Sequence, residues 1–135
     1  MKECIFCKII KGEMPVNKIY EDDKILAFLD IKPVNPGHTL VVPKEHFSDL
    51  TTTPAELVCA GMRVVQKIGE KIIKSGLGTG FNVGINTKKT AGQIVDHFHI
   101  HLMPRLEDDA FELWHGRDYT PGEAEKIAEK LKIDL

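Results

Sequence analysis

Long apolar runs are missing from this 135-residue chain. None approaches the roughly 20 residues that a membrane-spanning helix needs. The opening Met-Lys-Glu-Cys carries no apolar stretch of the kind that marks a signal peptide. Cysteine is scarce: three residues, an odd number, do not make a disulfide framework and point to a reducing, cytoplasmic setting. Neither charge is in excess. Lys and Arg number 18 against 20 Asp and Glu, and the net charge of −2 leaves no basic face for nucleic acid. Lysines cluster at Lys88-Lys89 and in the last stretch, where acids are interleaved, and read as a solvated face. There is no internal repeat and no low-complexity segment. What remains is a composition of 42% hydrophobic and 28% charged residues, ordinary for one globular domain over residues 1–135.

Turn and helix signals divide the chain. A short apolar helix over about Cys4 to Lys11 is closed by Gly12, and Pro15 prevents its continuation. Ile19–Glu21 and Lys24–Asp30 read as a hairpin turning at Asp22-Asp23. Pro33, Pro36 and Gly37 stiffen the next loop, and His38–Pro43 is a third strand. Thr53-Pro54-Ala55-Glu56 has the spacing of a capping box and opens a long helix that ends at Gly76. Leu57, Gly61, Val64, Val65, Ile68 and Ile72 lie on one side of that helix, and Cys59 reads as a core residue within it. Phe81–Ile85 is a fourth strand. Thr120-Pro121-Gly122-Glu123 repeats the start signal for a last helix, with Ala124, Ile127, Ala128 and Leu131 as its inner face. Strands, one long helix and strands again predict an α+β fold with helices packed on a mostly antiparallel, five-stranded sheet.

The chemistry concentrates in the fifth strand, His97-Phe98-His99-Ile100-His101-Leu102-Met103-Pro104-Arg105. Alternation at period two puts three imidazoles on one face, successive ones roughly 7 Å apart, and Phe98, Ile100 and Leu102 on the other. A lone histidine is usually structural; three in strict alternation are hard to explain by packing. Imidazole can bind metal, carry protons or attack phosphorus.

This motif, with Leu29-Asp30-Ile31, Gly37-His38-Thr39-Leu40-Val41-Val42-Pro43, Asn86 and Gly92-Gln93, resembles the histidine triad (HIT) family, in particular its small bacterial branch of nucleoside phosphoramidase-like proteins. The resemblance runs nearly end to end. It implies a two-fold homodimer, a purine nucleotide substrate, and His99 as nucleophile forming a covalent nucleotidyl-histidine. It also implies that His101 and His38 contact phosphate and that the His97 carbonyl orients the His99 ring. Asp30 and Ile31 would bind the nucleoside, with Ile31 and Phe6 enclosing the base, while Asn86, Gly92, Gln93 and Ile94 lie around the phosphate. Taken alone, Asp30 equally suits a loop cap, Ile31 a core residue and His38 an exposed strand start.

Two further features qualify that picture. Many relatives carry a hydroxyl residue directly after Gly-Gln, where this chain has Ile94, so leaving-group assistance falls to a backbone N–H or to Gln93. Cys4-x-x-Cys7 offers two thiolates at metal-ligand spacing, or an idle pair. The bacterial branch that the chain resembles completes a zinc site there with a histidine after the third strand and the first triad histidine, here His46 and His97. Such a closed, structural site would leave no position for a metal-activated water. Phe111–Gly116, with Trp114 and His115, is a loop rich in large apolar groups, either core or interface, which the resemblance sends toward a partner's site.

The leading expectation is an enzyme that cleaves a nucleoside 5′-monophosphate from a phosphoramidate or phosphoanhydride. A dinucleoside polyphosphate hydrolase, catalysis by a metal held on the triad, and a nucleotide-binding module with little turnover are the alternatives.

Overall fold

A computed structural model describes residues 3–135. Five strands form one antiparallel sheet: β1 (Lys18–Glu21), β2 (Ile25–Leu29), β3 (Thr39–Pro43), β4 (Gly80–Gly84) and β5 (Ile100–Arg105), in the spatial order β1-β2-β3-β5-β4. The hairpin turns at Asp22-Asp23 because the Asp22 carboxylate accepts the Lys24 and Ile25 N–H groups, both at 2.7 Å. No described helix is long and apolar enough to cross a membrane.

Each face of the sheet has its own cover. The long helix α2 (Ala55–Ser75) buries Gly61, Val65, Gly69 and Ile72 against Ile25, Ala27, Val41, Phe98, Ile100 and Leu102. Its glycines permit the close approach. A Cβ on Gly61 would meet Ile100 Cδ1 at 3.1 Å, and one on Gly69 would meet the Phe81 ring at 2.6 Å. On the opposite face the short helix α1 (Ile5–Ile10) brings Phe6 and Ile9 onto Leu26, Phe28, Leu40 and Val42. Pairing places Phe28, Leu40, His101 and Gly84 in one row across the sheet, so His101 shares the α1 face.

Several sequence expectations are corrected. The strand pairing starts at Ile100, leaving His97, Phe98 and His99 outside β5. Continuing the β3–β5 register would set Phe98 opposite Pro43, which has no N–H for the ladder. Phe98 N–H instead donates to Phe47 O at 2.7 Å. The capping box of α2 does not form: Pro54 occupies the N-cap, and Thr53 Oγ1 donates to Asp49 O at 2.7 Å. Cys59 is exposed, on the outer side of α2. The last helix, α3 (Glu123–Leu131), forms, but none of its residues is buried and Leu131 is 70% exposed. The two buried apolar clusters are built by α1 and α2 with the sheet, and α3 contributes to neither.

Ile100 is fully buried between the two sheet-side layers, directly flanked in sequence by His99 and His101. Ile100→Ala is expected to lower stability by about 2–5 kcal/mol, measured as a shift of the urea unfolding midpoint at unchanged slope.

Candidate functional site

His38, His97, His99 and His101 converge where β3 and β5 run side by side. His97 is fully buried and His99 is 7% exposed. Phe6 separates and steadies them, meeting the His97 ring edge-on at 5.8 Å and the His99 ring at 5.0 Å between centroids. Burial pushes all four imidazoles down, His97 and His101 to about 4, so each is neutral at pH 7.

Hydrogen-bond partners then assign the protons. His99 Nδ1–H donates to His97 O at 2.7 Å, which leaves a lone pair on Nε2. His38 Nδ1 accepts the Val34 N–H at 3.0 Å, so the proton of a neutral His38 is on Nε2. That proton points to His101 Nδ1, 3.0 Å away, and neutral His101 therefore carries its own proton on Nε2. Among the described residues, Nε2 of His99 and Nε2 of His101 have no protein partner. Neither is a buried unpaired atom, so both reach solvent. A nucleophilic nitrogen and an N–H donor thus sit on adjacent rings whose centroids are 5.0 Å apart. Asp30 Oδ2 lies 3.7 Å from His38 Nε2 and within ligand range of His38 and His101. The His38–His101 hydrogen bond, with Asp30 beside it, joins these side chains into one polar cluster.

The remaining predicted residues divide into two groups. Asp30 Oδ1 accepts the Lys32 N–H at 2.9 Å, the loop-capping role, while Oδ2 remains free. Ile31 is 85% exposed, so it is not core. Phe6 is 6% exposed and packed edge-to-face against the Phe28, His97 and His99 rings. Asn86 Nδ2 reaches Gly92 O at 3.5 Å, and Gly92 takes a φ of +90°. The Gln93 amide is committed: its nitrogen donates to Ser48 O at 2.7 Å and Val95 O at 3.0 Å, and its oxygen accepts Lys88 N–H at 2.9 Å. It braces the loop and is not free to assist a leaving group. Ile94 is 93% exposed. Trp114 is 88% exposed and sits with Leu113 and His115 on an arm away from the core.

Cys4, Cys7, His46 and His97 form a second centre, with their donor atoms all within 4.8 Å of one another. Cys4 Sγ lies 3.4 Å and Cys7 Sγ 3.6 Å from His97 Nδ1, which is also 3.1 Å from His46 Nδ1. Cys7 Sγ lies 3.3 Å from His46 Nδ1. Tetrahedral zinc, with bonds of about 2.0–2.3 Å, requires donor separations of about 3.3–3.8 Å. His97 Nε2–H donates to the Pro43 carbonyl at 2.8 Å, which turns its Nδ1 lone pair toward the other three donors. Donor chemistry and tautomer fit a zinc ion, and the Cys4–His97, Cys7–His97 and Cys7–His46 separations lie within that range, with His46–His97 slightly closer.

Residues 11–108 match the family model of the HIT domain. The chain belongs to the HIT family. Among its HIT relatives, an uncharacterized HIT-like protein of Methanocaldococcus jannaschii is 43% identical over 132 residues, which cover 98% of this chain and 92% of that protein. An adenylylsulfatase of Arabidopsis thaliana is 44% identical over 83% of this chain and 56% of its own length. An adenosine 5′-monophosphoramidase of Candida albicans is 41% identical over 98% and 91%. Of solved HIT structures, one from Bacillus anthracis superposes with a TM-score of 0.87 at 40% identity, covering 96% of this chain and 95% of that one. A Zn-bound HIT protein from Mycobacterium smegmatis superposes with a TM-score of 0.78 at 44% identity, covering 85% and 84%.

The neutral, buried imidazoles carry a linkage consequence for this HIT fold. His101 has its pKa lowered from 6.5 to about 4 in the folded chain, so between those values the unfolded state binds more protons. Its contribution to stability is complete above pH 6.5 and is lost as pH falls toward 4. Unfolding midpoints measured at pH 7.5 and pH 5 should differ more for the wild-type chain than for His101→Gln, which has no imidazole at that position to charge.

Proposed function

We propose that this HIT protein is a nucleotide hydrolase or transferase that releases nucleoside 5′-monophosphates, preferably purine, from phosphoramidates and related phosphoanhydrides. The observation that carries the reading is the His99 ring: Nδ1–H is tied to the His97 carbonyl, and a free Nε2 lone pair faces solvent beside His101 Nε2–H. In the first step His99 Nε2 attacks the α-phosphorus, a P–N bond forms, and the bond from phosphorus to the leaving group breaks with its electron pair. The leaving amine or phosphate takes its proton from solvent, because Ile94 has no hydroxyl and the Gln93 amide is engaged. Water then attacks the same phosphorus: a P–O bond forms, the P–N bond breaks with its electron pair returning to His99 Nε2, and the proton lost by the water passes to solvent, releasing the monophosphate and restoring neutral His99. The N–H of His101 stabilises charge on a non-bridging oxygen in both steps. Nearby, the free Asp30 oxygen accepts hydrogen bonds from the ribose hydroxyls, Ile31 covers the base, and Asn86, Gly92 and Ile94 border the phosphate. The adenylylsulfatase and monophosphoramidase names of the two enzyme relatives support this chemistry and an adenosine preference.

In this reading Cys4, Cys7, His46 and His97 hold one structural zinc, supported by the Zn-bound relative. With four protein ligands the ion supplies a crosslink rather than a water nucleophile. Thiolate ligands suit a reducing cytoplasm. The uncovered arm and α3 are consistent with a homodimer, which would cover apolar groups such as Leu113 and Trp114. A second reading, a nucleotide-binding module with slow turnover, is favoured by Ile94 alone.

His99→Ala should lose roughly 10³-fold or more in turnover of an adenosine phosphoramidate while AMP still binds. Mass analysis of the intact wild-type chain after rapid quenching should reveal an added adenylyl group. A chain that binds AMP without either turnover or adduct would be the binding module instead.

For the metal, elemental analysis should find one zinc per chain. Replacing Cys4 and Cys7 by serine should lower the melting temperature, because metal binding free energy adds to folding free energy. A zinc-free chain that melts with the wild type would remove the structural role.

A further inference from the structure

The hydrogen bond from Val34 N–H to His38 Nδ1 is the starting point of the proton assignment, yet it comes from a loop rather than a strand. Something must hold the loop between Pro33 and Gly37 in place. Its own bonds are few: His38 N–H donates to Asn35 O at 3.0 Å, and Thr39 Oγ1 donates to Gly37 O at 2.8 Å. Gly37 lies against Pro104 with a φ of +96°, where a Cβ would stand 3.1 Å from Pro104 Cγ.

The link across to the far end of β5 is the Asn35 side chain. Asn35 Nδ2 donates to Pro104 O at 2.9 Å and to Asp109 Oδ2 at 2.8 Å. Asp109 is itself anchored by Arg105 Nη2 at 2.8 Å, Leu106 N–H at 3.0 Å and Phe111 N–H at 3.1 Å, and its side chain is 8% exposed. The residues on either side, Asp108 and Ala110, both have left-handed φ values, +64° and +63°. Non-glycine residues adopt that region infrequently. With one on each side of Asp109, the turn holds its carboxylate against four donors.

We propose that Asn35 and Asp109 are positioning residues of the histidine relay: they clamp the Pro33–Gly37 loop to the end of β5, so that Val34 N–H fixes the His38 tautomer and, through it, the proton on His101. Neither touches the reacting atoms. Without the clamp, Val34 N–H drifts from His38 Nδ1, the ring is free to exchange its two neutral tautomers, and the His38–His101 bond can reverse. His101 would then present a lone pair, rather than an N–H, to the phosphate oxygen. The His99 ring stays as it is, because it is tied to His97 O and not to the loop.

The catalytic part of this inference rests on the proposed phosphoryl transfer; the tautomer part does not. The test uses zinc-loaded, ¹⁵N-labelled protein at neutral pH, comparing wild type with Asn35→Ala and Asp109→Asn. Imidazole nitrogen–proton correlation spectra should give the wild-type His38 and His101 signals of rings protonated at Nε2. In Asn35→Ala both should move toward tautomer averages while His99 stays put. Turnover of an adenosine phosphoramidate should fall roughly 10- to 100-fold in kcat with KM nearly unchanged, the usual penalty for a misplaced catalytic group. Wild-type tautomers and kcat in a folded variant would overturn the proposal, as would a lower melting temperature with neither change. If Asn35→Ala does not fold, Asp109→Asn is read by the same two criteria. If tautomers shift but the wild-type chain turns over no phosphoramidate, the positioning role stands and the phosphoryl-transfer reading fails. Turnover in the wild type without a tautomer shift in the variants has the opposite meaning.

Discussion

The hydrogen bond from His99 Nδ1–H to the His97 carbonyl is the constraint on which the rest of the site depends. It is an intrastrand-scale contact between residues two apart, and it exists because the chain before Ile100 has left the regular sheet. In a paired strand that carbonyl would be available to a neighbouring ladder. Here Pro43 cannot complete the ladder, and the liberated backbone turns to the His99 ring. The same residue also works from its other end. The His97 side chain gives its Nε2–H to Pro43 O and its Nδ1 lone pair to the Cys4, Cys7 and His46 set. One histidine therefore connects the N-terminal helix, the end of β3 and the orientation of His99.

Electrostatics reinforces this geometry. Four imidazoles packed this tightly could not all be charged, and burial keeps them neutral. A neutral imidazole has one donor and one acceptor, so each hydrogen bond made on one nitrogen dictates what the other offers. Val34 N–H and His97 O, both main-chain groups, set these choices for His38 and His99 respectively. Backbone groups suit this task because they neither titrate nor change rotamer. The layered fold supplies the rigidity: α2 fixes Ile100 and Leu102 from one side, and Phe6 on α1 wedges between His97 and His99 from the other.

Much of this was legible in the amino-acid sequence, and the illegible parts share a cause. Alternation of His with Phe98, Ile100 and Leu102 announced a two-faced segment, and the three apolar residues are indeed buried under α2. Glycine and proline marked the ends of α1 and α2. The capping box failed because the helix begins one residue later, with Pro54 at its N-cap and Thr53 turned back to Asp49 O. The Gln93 amide also braces Ser48, Val95 and Lys88, a use that no local pattern reveals. For α3 the apolar periodicity was real, but periodicity reports a face and not what covers it.

By itself, then, the sequence determined the local chemistry: which residues alternate, where turns fall, which side chains can bind metal or attack phosphorus, and the α+β order of elements. Those properties follow from short-range rules of backbone geometry and from the intrinsic reactivity of imidazole and thiol. The tertiary structure alone decided which nitrogen of each histidine carries its proton, that Cys4 and Cys7 meet His46 and His97 at ligand distances, and that Asn35 grasps Asp109. These rest on contacts between residues 39 to 93 positions apart, or on a single main-chain group such as Val34 N–H or His97 O. Side-chain partners at such separations are set by how the sheet and its two covering helices close, a property of the whole chain that no segment carries alone.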